Sequence, residues 1–472
     1  MAGLRRYERY AAELTELMRS GTLAPGARLP SVREASRTRR ISPATVFEAY
    51  YLLQARGLIE SRPRSGFFVT RAPMSAPAKP VSAAPRSRVV AVSDLVFEVL
   101  DATRKPGVVP LGSAFPSNDL FPLRQLARAL TAGMRNLDPA RIVEDLPPGN
   151  EQLRRQIALR YALSGTRVSP DEIIITNGAM EALTLSLQTV TRPGDAVVVE
   201  SPTFYAALQA LERLQLKAIE IPCNLRHGLS IPALRNALQR HNVKACWLMP
   251  SFQNPTGSCM PEENRRELMT LLETHDVPLI EDDVYAELYH GAHPQKPLKA
   301  FDTSGLVMHC GSFSKCLAPG YRIGWVAGGR HAPQIERAKI MTSISTAVPS
   351  QHALAGYLAH GGYERHLRKL RRTLARQGDL AARMAARYFP PGTRLSSPAG
   401  GYFLWVEFPA AVDTLQMHRD ALDRGINIAP GQIFSATRQF RNCLRLNFGH
   451  PRDARFEPAV RMVGTLAAAA CA

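Results

Sequence analysis

Ser312-Phe-Ser-Lys315 closes a short apolar run that begins at Val307, and Arg322 follows seven residues on in Ala318-Pro-Gly-Tyr-Arg-Ile-Gly-Trp325. A lysine at a strand end is costly to bury unless it is neutral or covalently engaged. A lowered amine pKa is what Schiff-base chemistry requires. Arg322 could return to the same spot and pair with a phosphate; the plain alternative is a surface loop carrying two unrelated cations. Glu281-Asp-Asp-Val-Tyr285 comes after a second apolar run, Pro278–Ile280. A carboxylate there can hold a pyridinium nitrogen protonated, the electronic condition for pyridoxal phosphate to take up electrons. Tyr285 could bond the phenolic oxygen of such a ring. Three consecutive acids could also bind a metal, but no His or Cys lies close enough to complete a site, so no metal is expected.

Two weaker clusters accompany these. Asn254-Pro-Thr-Gly257 is a turn after the Ala245–Met249 run and offers a side-chain amide to the same oxygen. Thr176-Asn-Gly-Ala-Met-Glu181 reads as a strand-to-helix turn, with free N–H groups expected at Gly178, Ala179 and Met180 for an anion. Each cluster alone is unspecific; the order and spacing of the four are not.

The elements that must carry them alternate. Glu172–Thr176, Ala196–Glu200, Ala245–Met249 and Pro278–Glu281 are short apolar runs of the kind found in buried parallel strands. Met180–Thr189, Tyr205–Leu214 and Glu262–Thr274 are amphipathic segments between them. Such alternation predicts a doubly wound α/β body, whose strand ends are where ligands bind. A long Arg-rich helix over Tyr363–Tyr388 and β-like runs at Gly401–Phe408 and Cys443–Phe448 predict a smaller α+β subdomain.

The first 71 residues differ in kind. Residues 1–72 hold 13 Lys and Arg against 6 Asp and Glu, a net +7 in a chain of net +19. Tyr10, Leu14, Leu17 and Met18 recur at helical spacing. Ser31 and Ser42 are N-cap candidates for two further helices, with Pro43 at a first helical position and Val46, Tyr50 and Leu53 as a buried stripe. Leu58–Ser61 and Phe67–Val69 flank a basic turn, Arg62-Pro-Arg-Ser-Gly66. The pattern predicts a winged helix-turn-helix, which sets its second helix in the major groove of DNA; periodicity alone leaves a helical cap with a hairpin about equally open. Residues 72–93 begin with four prolines among Ala and Ser and read as an extended linker. Residues 94–472 then form the body.

Leu29-Pro-Ser-Val-Arg-Glu, Ser42-Pro-Ala-Thr-Val, Ala49-Tyr-Tyr-Leu-Leu, Gly57-Leu-Ile-Glu and Arg64-Ser-Gly-Phe-Phe-Val resemble the GntR family of bacterial regulators. The resemblance implies that Arg33, Ser42, Thr45, Arg64, Ser65 and Gly66 face double-stranded DNA. Pro43 and Arg39 depart from it, Arg39 standing where an apolar residue is usual. Residues 94–472 resemble fold-type I pyridoxal-phosphate enzymes of the aspartate aminotransferase superfamily. By that resemblance Lys315 carries the cofactor as an aldimine, Asp282 meets the pyridine nitrogen, and Asn254 and Tyr285 meet the phenolic oxygen. Phe204 stacks on the ring. Gly178, Ala179, Met180, Ser312, Ser314 and Arg322 hold the phosphate, and Arg445 grips a substrate α-carboxylate. Gly149-Asn-Glu-Gln-Leu-Arg154 matches a superfamily motif, yet Val143–Pro148 lacks the usual tyrosine and carries Glu144 and Asp145. The combination is similar to the MocR-type regulators, which implies a homodimer whose DNA binding answers to an amino compound forming an external aldimine. An active aminotransferase with a tethered DNA-binding module is the rival reading, and a cofactor-free DNA-binding scaffold is a third.

Composition excludes several other classes. With 45% hydrophobic and 21% charged residues, the 472-residue chain can bury a sizeable core. Seven scattered cysteines rule out a disulfide-stapled fold. No run of 18 apolar residues and no apolar leader occurs, so a cytoplasmic location is expected.

Overall fold

The computed structural model describes residues 5–19, 22–23, 26–55, 58–62, 66–69, 85–101, 107–135, 137, 146–291, 293–450 and 453–472. Arg64, Ser65, Glu144, Asp145 and most of the proline-rich linker lie outside the described residues.

The front module consists of helices α1 (Arg6–Arg19), α2 (Val32–Arg39) and α3 (Pro43–Ala55) and a hairpin of β1 (Ile59–Arg62) with β2 (Gly66–Val69). The caps fix the two short helices. Ser31 Oγ accepts from Glu34 N at 3.2 Å to start α2, and Arg40 ends it at φ 51° with its N–H on Ser36 O. Ser42 Oγ accepts from Thr45 N at 3.1 Å to start α3. Tyr10, Leu14, Val46, Tyr50 and Leu53 are buried together, and Tyr50 Oη donates to Pro30 O at 2.8 Å. The wing has the two expected strands, and residues 26–29 run beside the second: Gly26 and Leu29 donate to Val69 O and Phe67 O, Val69 N returns to Ala27 O, and Arg28 makes an isolated bridge to Phe68. Arg39 does not replace a core residue: its guanidinium pairs with Glu13 at 2.7 Å, and both side chains are more than two-fifths exposed.

In the body, a mixed sheet runs in the order Ser87–Val89, Lys217–Asn224, Ala196–Ser201, Val243–Leu248, Leu279–Asp282, Val307–Ser312, Gly324–Ala327, Ile173–Thr176. The five central strands pair parallel, as their unbroken apolar runs require. Gly324–Ala327 is antiparallel to both neighbours, with Gly324 opposite Ser312 on one side and Thr176 on the other. A reversed strand begins where its neighbours end, so the residues just before Gly324 must sit at the same sheet edge as Ser312 and Thr176. Ile174, Met308, Cys310 and Val326 pack one face under the Ala179–Val190 and Tyr205–Arg213 helices. Ile173, Ile175 and Ala327 pack the other face against Leu153, Ile157 and Tyr161.

Composition placed residues 87–93 in the linker, and the structure corrects this. Ser87–Val89 is an edge strand antiparallel to Lys217–Ile219. Edge position tolerates its mostly exposed side chains, the apolar Val89 among them. The smaller subdomain has an antiparallel sheet ordered Arg394–Leu395, Phe403–Glu407, Cys443–Asn447, Ala429–Pro430. The Gly362–Tyr388 and Phe456–Ala469 helices cover it through Leu370, Leu374, Val460 and Val463. No helix among the described residues is long and apolar enough to cross a membrane.

Candidate functional site

Four strand ends meet at one edge of the sheet and carry the chemistry. Asp282 ends Leu279–Asp282, Ser312 ends Val307–Ser312, Thr176 ends Ile173–Thr176, and the Asn254 turn follows Val243–Leu248. Lys315 lies three residues past Ser312, part-buried, its Nζ donating to Ala114 O at 2.9 Å and lying 3.6 Å from the centre of the Phe115 ring. Burial, helped by the Arg445 charge, lowers its pKa to about 7. An amine so placed is largely neutral just above neutrality and is a ready nucleophile.

Asp282 is 1% exposed, and its Oδ1 has no hydrogen-bond partner among the described residues. Burial, then the charge of Asp283, pushes its carboxyl up to about 7. A buried carboxylate oxygen without a donor is costly, and a protonated ring nitrogen would relieve it. Asn254 Nδ2 donates to Tyr285 Oη at 3.4 Å, which brings the two groups expected at the phenolic oxygen together. Burial raises the Tyr285 pKa.

The anion cup is built by close backbone approach. Arg322 holds the left-handed conformation at φ 55°, which turns its guanidinium back onto Ser314 Oγ at 3.2 Å and Asn177 O at 3.5 Å. Gly178 has φ 80°, and a Cβ there would stand 2.3 Å from Arg322 Nη2. Ser312 Oγ accepts from Ser314 N at 3.1 Å. One expectation fails here: the Gly178 N–H is not free, because it donates to Thr176 O at 2.8 Å. The Ala179 and Met180 amides, in the first turn of the Ala179–Val190 helix, remain to meet an anion. Phe204 caps the Tyr205–Arg213 helix, partly exposed, with its ring 4.8 Å from that of Tyr205.

Arg445 is fully buried on the Cys443–Asn447 strand. Nη1 donates to Asn254 Oδ1 at 2.8 Å and Nη2 to Gly112 O at 2.7 Å, while Nε has no partner among the described residues. Phe403 lies 4.4 Å beneath its guanidinium. The segment 112–115 was missed in the sequence. It crosses the site, giving Gly112 O to Arg445 and Ala114 O to Lys315 and Tyr402. Asn447 Nδ2 pins it through Ser113 O and Phe115 O. Gly112 was the available signal, since a Cβ there would lie 2.3 Å from Asn427 Oδ1.

Two further readings change. The sequence placed no histidine near the acids, yet His309 stands directly opposite Glu281 on the neighbouring strand. Cys316, beside the lysine, is buried with its Sγ 3.1 Å from Tyr363 Oη, and burial pushes its thiol up to about 12. That is packing rather than redox chemistry.

In the front module, four of the residues expected at DNA lie among the described ones, and three of them are exposed. Arg33 and Ser42 are exposed, Thr45 is half-buried with its Oγ1 2.8 Å from Ser42 Oγ, and Gly66 opens β2. Arg28, not anticipated, bridges to Phe68 with its guanidinium 3.6 Å from where a Gly66 Cβ would be.

The comparisons with known proteins agree with this division. The gntR family of bacterial regulatory proteins matches residues 6–69, and aminotransferase class I and II matches residues 109–461. An Escherichia coli protein described as an uncharacterized HTH-type transcriptional regulator, YdcR, is 45% identical over 463 residues, 98% of this chain and 99% of its own. The kynurenine aminotransferase structure of Pyrococcus horikoshii is 31% identical with a TM-score of 0.73, covering 79% of this chain and 94% of that one. LysN, the α-aminoadipate aminotransferase of Thermus thermophilus complexed with N-(5'-phosphopyridoxyl)-L-leucine, is 27% identical with a TM-score of 0.72, covering 81% and 96%. Fold and site thus define a fold-type I aminotransferase body preceded by a DNA-binding winged helix. The chain belongs to the MocR-type branch of the GntR regulators, and its cofactor is pyridoxal phosphate.

Proposed function

We propose that the chain is a homodimeric transcriptional regulator whose affinity for an operator changes when a small amino acid or amine enters the cofactor site. The observation that carries this reading is the union, in one chain, of an exposed basic helix-turn-helix with a buried site that retains an amine, a ring-nitrogen acid and a carboxylate grip. When bound, pyridoxal phosphate supplies an aldehyde that primary amines condense with and a ring that accepts electron density.

The protein's own groups do the rest. Lys315, whose pKa burial lowers to about 7, would hold the cofactor's aldehyde carbon and could take up or release the proton of an incoming amine. Asp282, with its unpartnered Oδ1, would hold a proton at the ring nitrogen, and the Asn254–Tyr285 pair would bond the phenolic oxygen. Arg322, Ser312, Ser314 and the Ala179 and Met180 amides orient the phosphate. Arg445 selects a carboxylate. Its Nη groups already point at Asn254 Oδ1 and Gly112 O, so an entering carboxylate exchanges with these and pulls on the 112–115 segment. That segment joins large domain to small subdomain through Asn447, which makes it a route from ligand entry to movement of the subdomain.

The test is the visible absorption spectrum of purified protein with pyridoxal phosphate beside that of Lys315→Ala. A lysine-dependent band that amines perturb supports the reading. Its absence, or the same band in the variant, removes the cofactor-sensing mechanism. Multiple-turnover transfer of the amino group to a keto acid, without any change in DNA binding, would favour the aminotransferase reading instead.

A further inference from the structure

Behind Asp282, on the opposite face of the sheet, three buried groups converge that the cofactor does not use. Glu281 is the register partner of His309 across the parallel pair Leu279–Asp282 and Val307–Ser312, and Asp283 follows immediately. One ligand atom from each of Glu281, Asp283 and His309 lies within 4.8 Å of the other two. Asp283 Oδ2 and His309 Nε2 are 3.1 Å apart, close to the separation of two atoms bound to one small cation.

Glu281 and His309 are held from behind, as metal ligands are. The oxygens of Glu281 accept from Leu298 N at 2.7 Å and Lys299 N at 3.0 Å, leaving lone pairs on both. The other nitrogen of His309, Nδ1, meets Tyr161 Oη at 2.6 Å, and Trp325 Nε1 donates to that same hydroxyl at 2.9 Å. A cavity of about 220 Å³ is lined by Asp283, His309, Tyr161 and Trp325, room for water and a path for an ion.

Two buried carboxylates meet one imidazole here, and the nearest buried guanidinium, Arg265, gives its N–H groups to Met260 O, Lys296 O and Pro250 O and not to either carboxylate. An imidazolium at His309 would balance one of the two carboxylates and satisfy Asp283 Oδ2 alone. Asp283 is 6% exposed, and its Oδ1 has no partner among the described residues. The nearby Lys299 ammonium is already engaged by Glu172 at 3.2 Å and Val307 O at 3.0 Å. A divalent ion neutralises both carboxylates and takes up the second Asp283 oxygen.

We propose that Glu281, Asp283 and His309 bind one divalent cation of the zinc class, with water from the cavity as the remaining ligand. One nitrogen donor and two carboxylates suit Zn²⁺ or Co²⁺ better than the all-oxygen shell that Ca²⁺ and Mg²⁺ prefer. The ion staples the two central strands directly behind the cofactor's acid.

The full chain, stripped with chelator and free of cofactor, is titrated with Co²⁺ by visible absorption and with Zn²⁺ by calorimetry. One equivalent is expected to bind, with d–d bands that Zn²⁺ abolishes by displacement. His309→Gln and Asp283→Asn should remove that equivalent, and Tyr161→Phe should weaken it by about 10-fold. A wild-type chain that takes up no stoichiometric Co²⁺ or Zn²⁺ overturns the proposal whatever the variants do, and leaves a buried ion pair. Binding unchanged in both ligand variants overturns it as well.

Discussion

The front module and the body meet their ligands in opposite ways. In the winged helix, Arg33, Ser42 and Gly66 stand exposed over a core of a dozen buried side chains, and the positive charge is concentrated, +7 in 72 residues. In the body, residues 94–472 carry a net +9, and Asp282, Ser312, Ser314 and Arg445 are all at least nine-tenths buried. The first surface acts on a polyanion through field and reach and is screened by salt. The second holds a small molecule by displaced water, fixed dipoles and shifted pKa values, and salt barely touches it. In the proposed function, a signal that starts in the buried site is read at the exposed one through movement of the smaller subdomain.

The contrast can be broken first at Lys315. Lys315→Ala should abolish the lysine-dependent absorption band altogether while leaving low-salt DNA binding within about 2-fold, as an anisotropy titration on the same preparation will show. Equal loss of both would mean that the two regions are not separable. Asp282→Asn comes next. It removes a charge-assisted hydrogen bond to the ring nitrogen, so cofactor affinity should fall about 10- to 100-fold, measured by equilibrium dialysis. Retained affinity would place the ring nitrogen elsewhere.

On the exposed side, Arg33→Ala should weaken DNA binding uniformly and lower the slope of log K against log salt by about 1, with no spectral change in the cofactor. An unaltered slope would take Arg33 off the phosphate backbone. The pH dependence sharpens the comparison further. Burial depresses the Lys315 pKa to about 7, so the neutral amine is available above that pH and lost below it. The rate of cofactor uptake by the cofactor-free chain should rise with pH through a midpoint near 7 and then level. A midpoint near the ordinary lysine value of about 10 would mean a solvated side chain. The smallest effect belongs to Arg39→Ala: an exposed pair with Glu13 should cost about 0.2–1 kcal/mol in denaturant unfolding.

What was legible in the sequence follows the same division. Strand-end motifs are local, so Lys315, Asp282, Asn254 and the Gly178 turn could be read from spacing, and the helix bounds at Val32, Pro43 and Glu262 from caps and periodicity. Arg322 was expected beside Lys315, but the reason it returns there is that the strand it precedes runs backwards, a topological fact that its distance in sequence does not contain. Contacts made across the fold were invisible for the same reason. The register that sets His309 against Glu281 is one, the passage of residues 112–115 between Lys315 and Arg445 is another, and the pairing of residues 26–29 with the wing is a third. The Gly178 amide was misjudged because a two-residue turn back to Thr176 O competes with the helix N-terminus for the same donor. Arg39 could be placed only once Glu13 on α1 was seen beside it.

The central claim is that entry of a small amine at Lys315 is felt by the winged helix. It is tested most directly by fluorescence anisotropy at fixed salt. The cofactor-loaded full chain is titrated onto a duplex it has selected from a random pool, with and without an amino acid that visibly perturbs its absorption band. The account predicts a change in DNA affinity of about 5-fold or more with the wild type. It predicts none for Lys315→Ala, in which the amine has no lysine to displace. An affinity that stays constant while the band shifts would contradict it, leaving a DNA-binding module and a cofactor site that share a chain but not a signal.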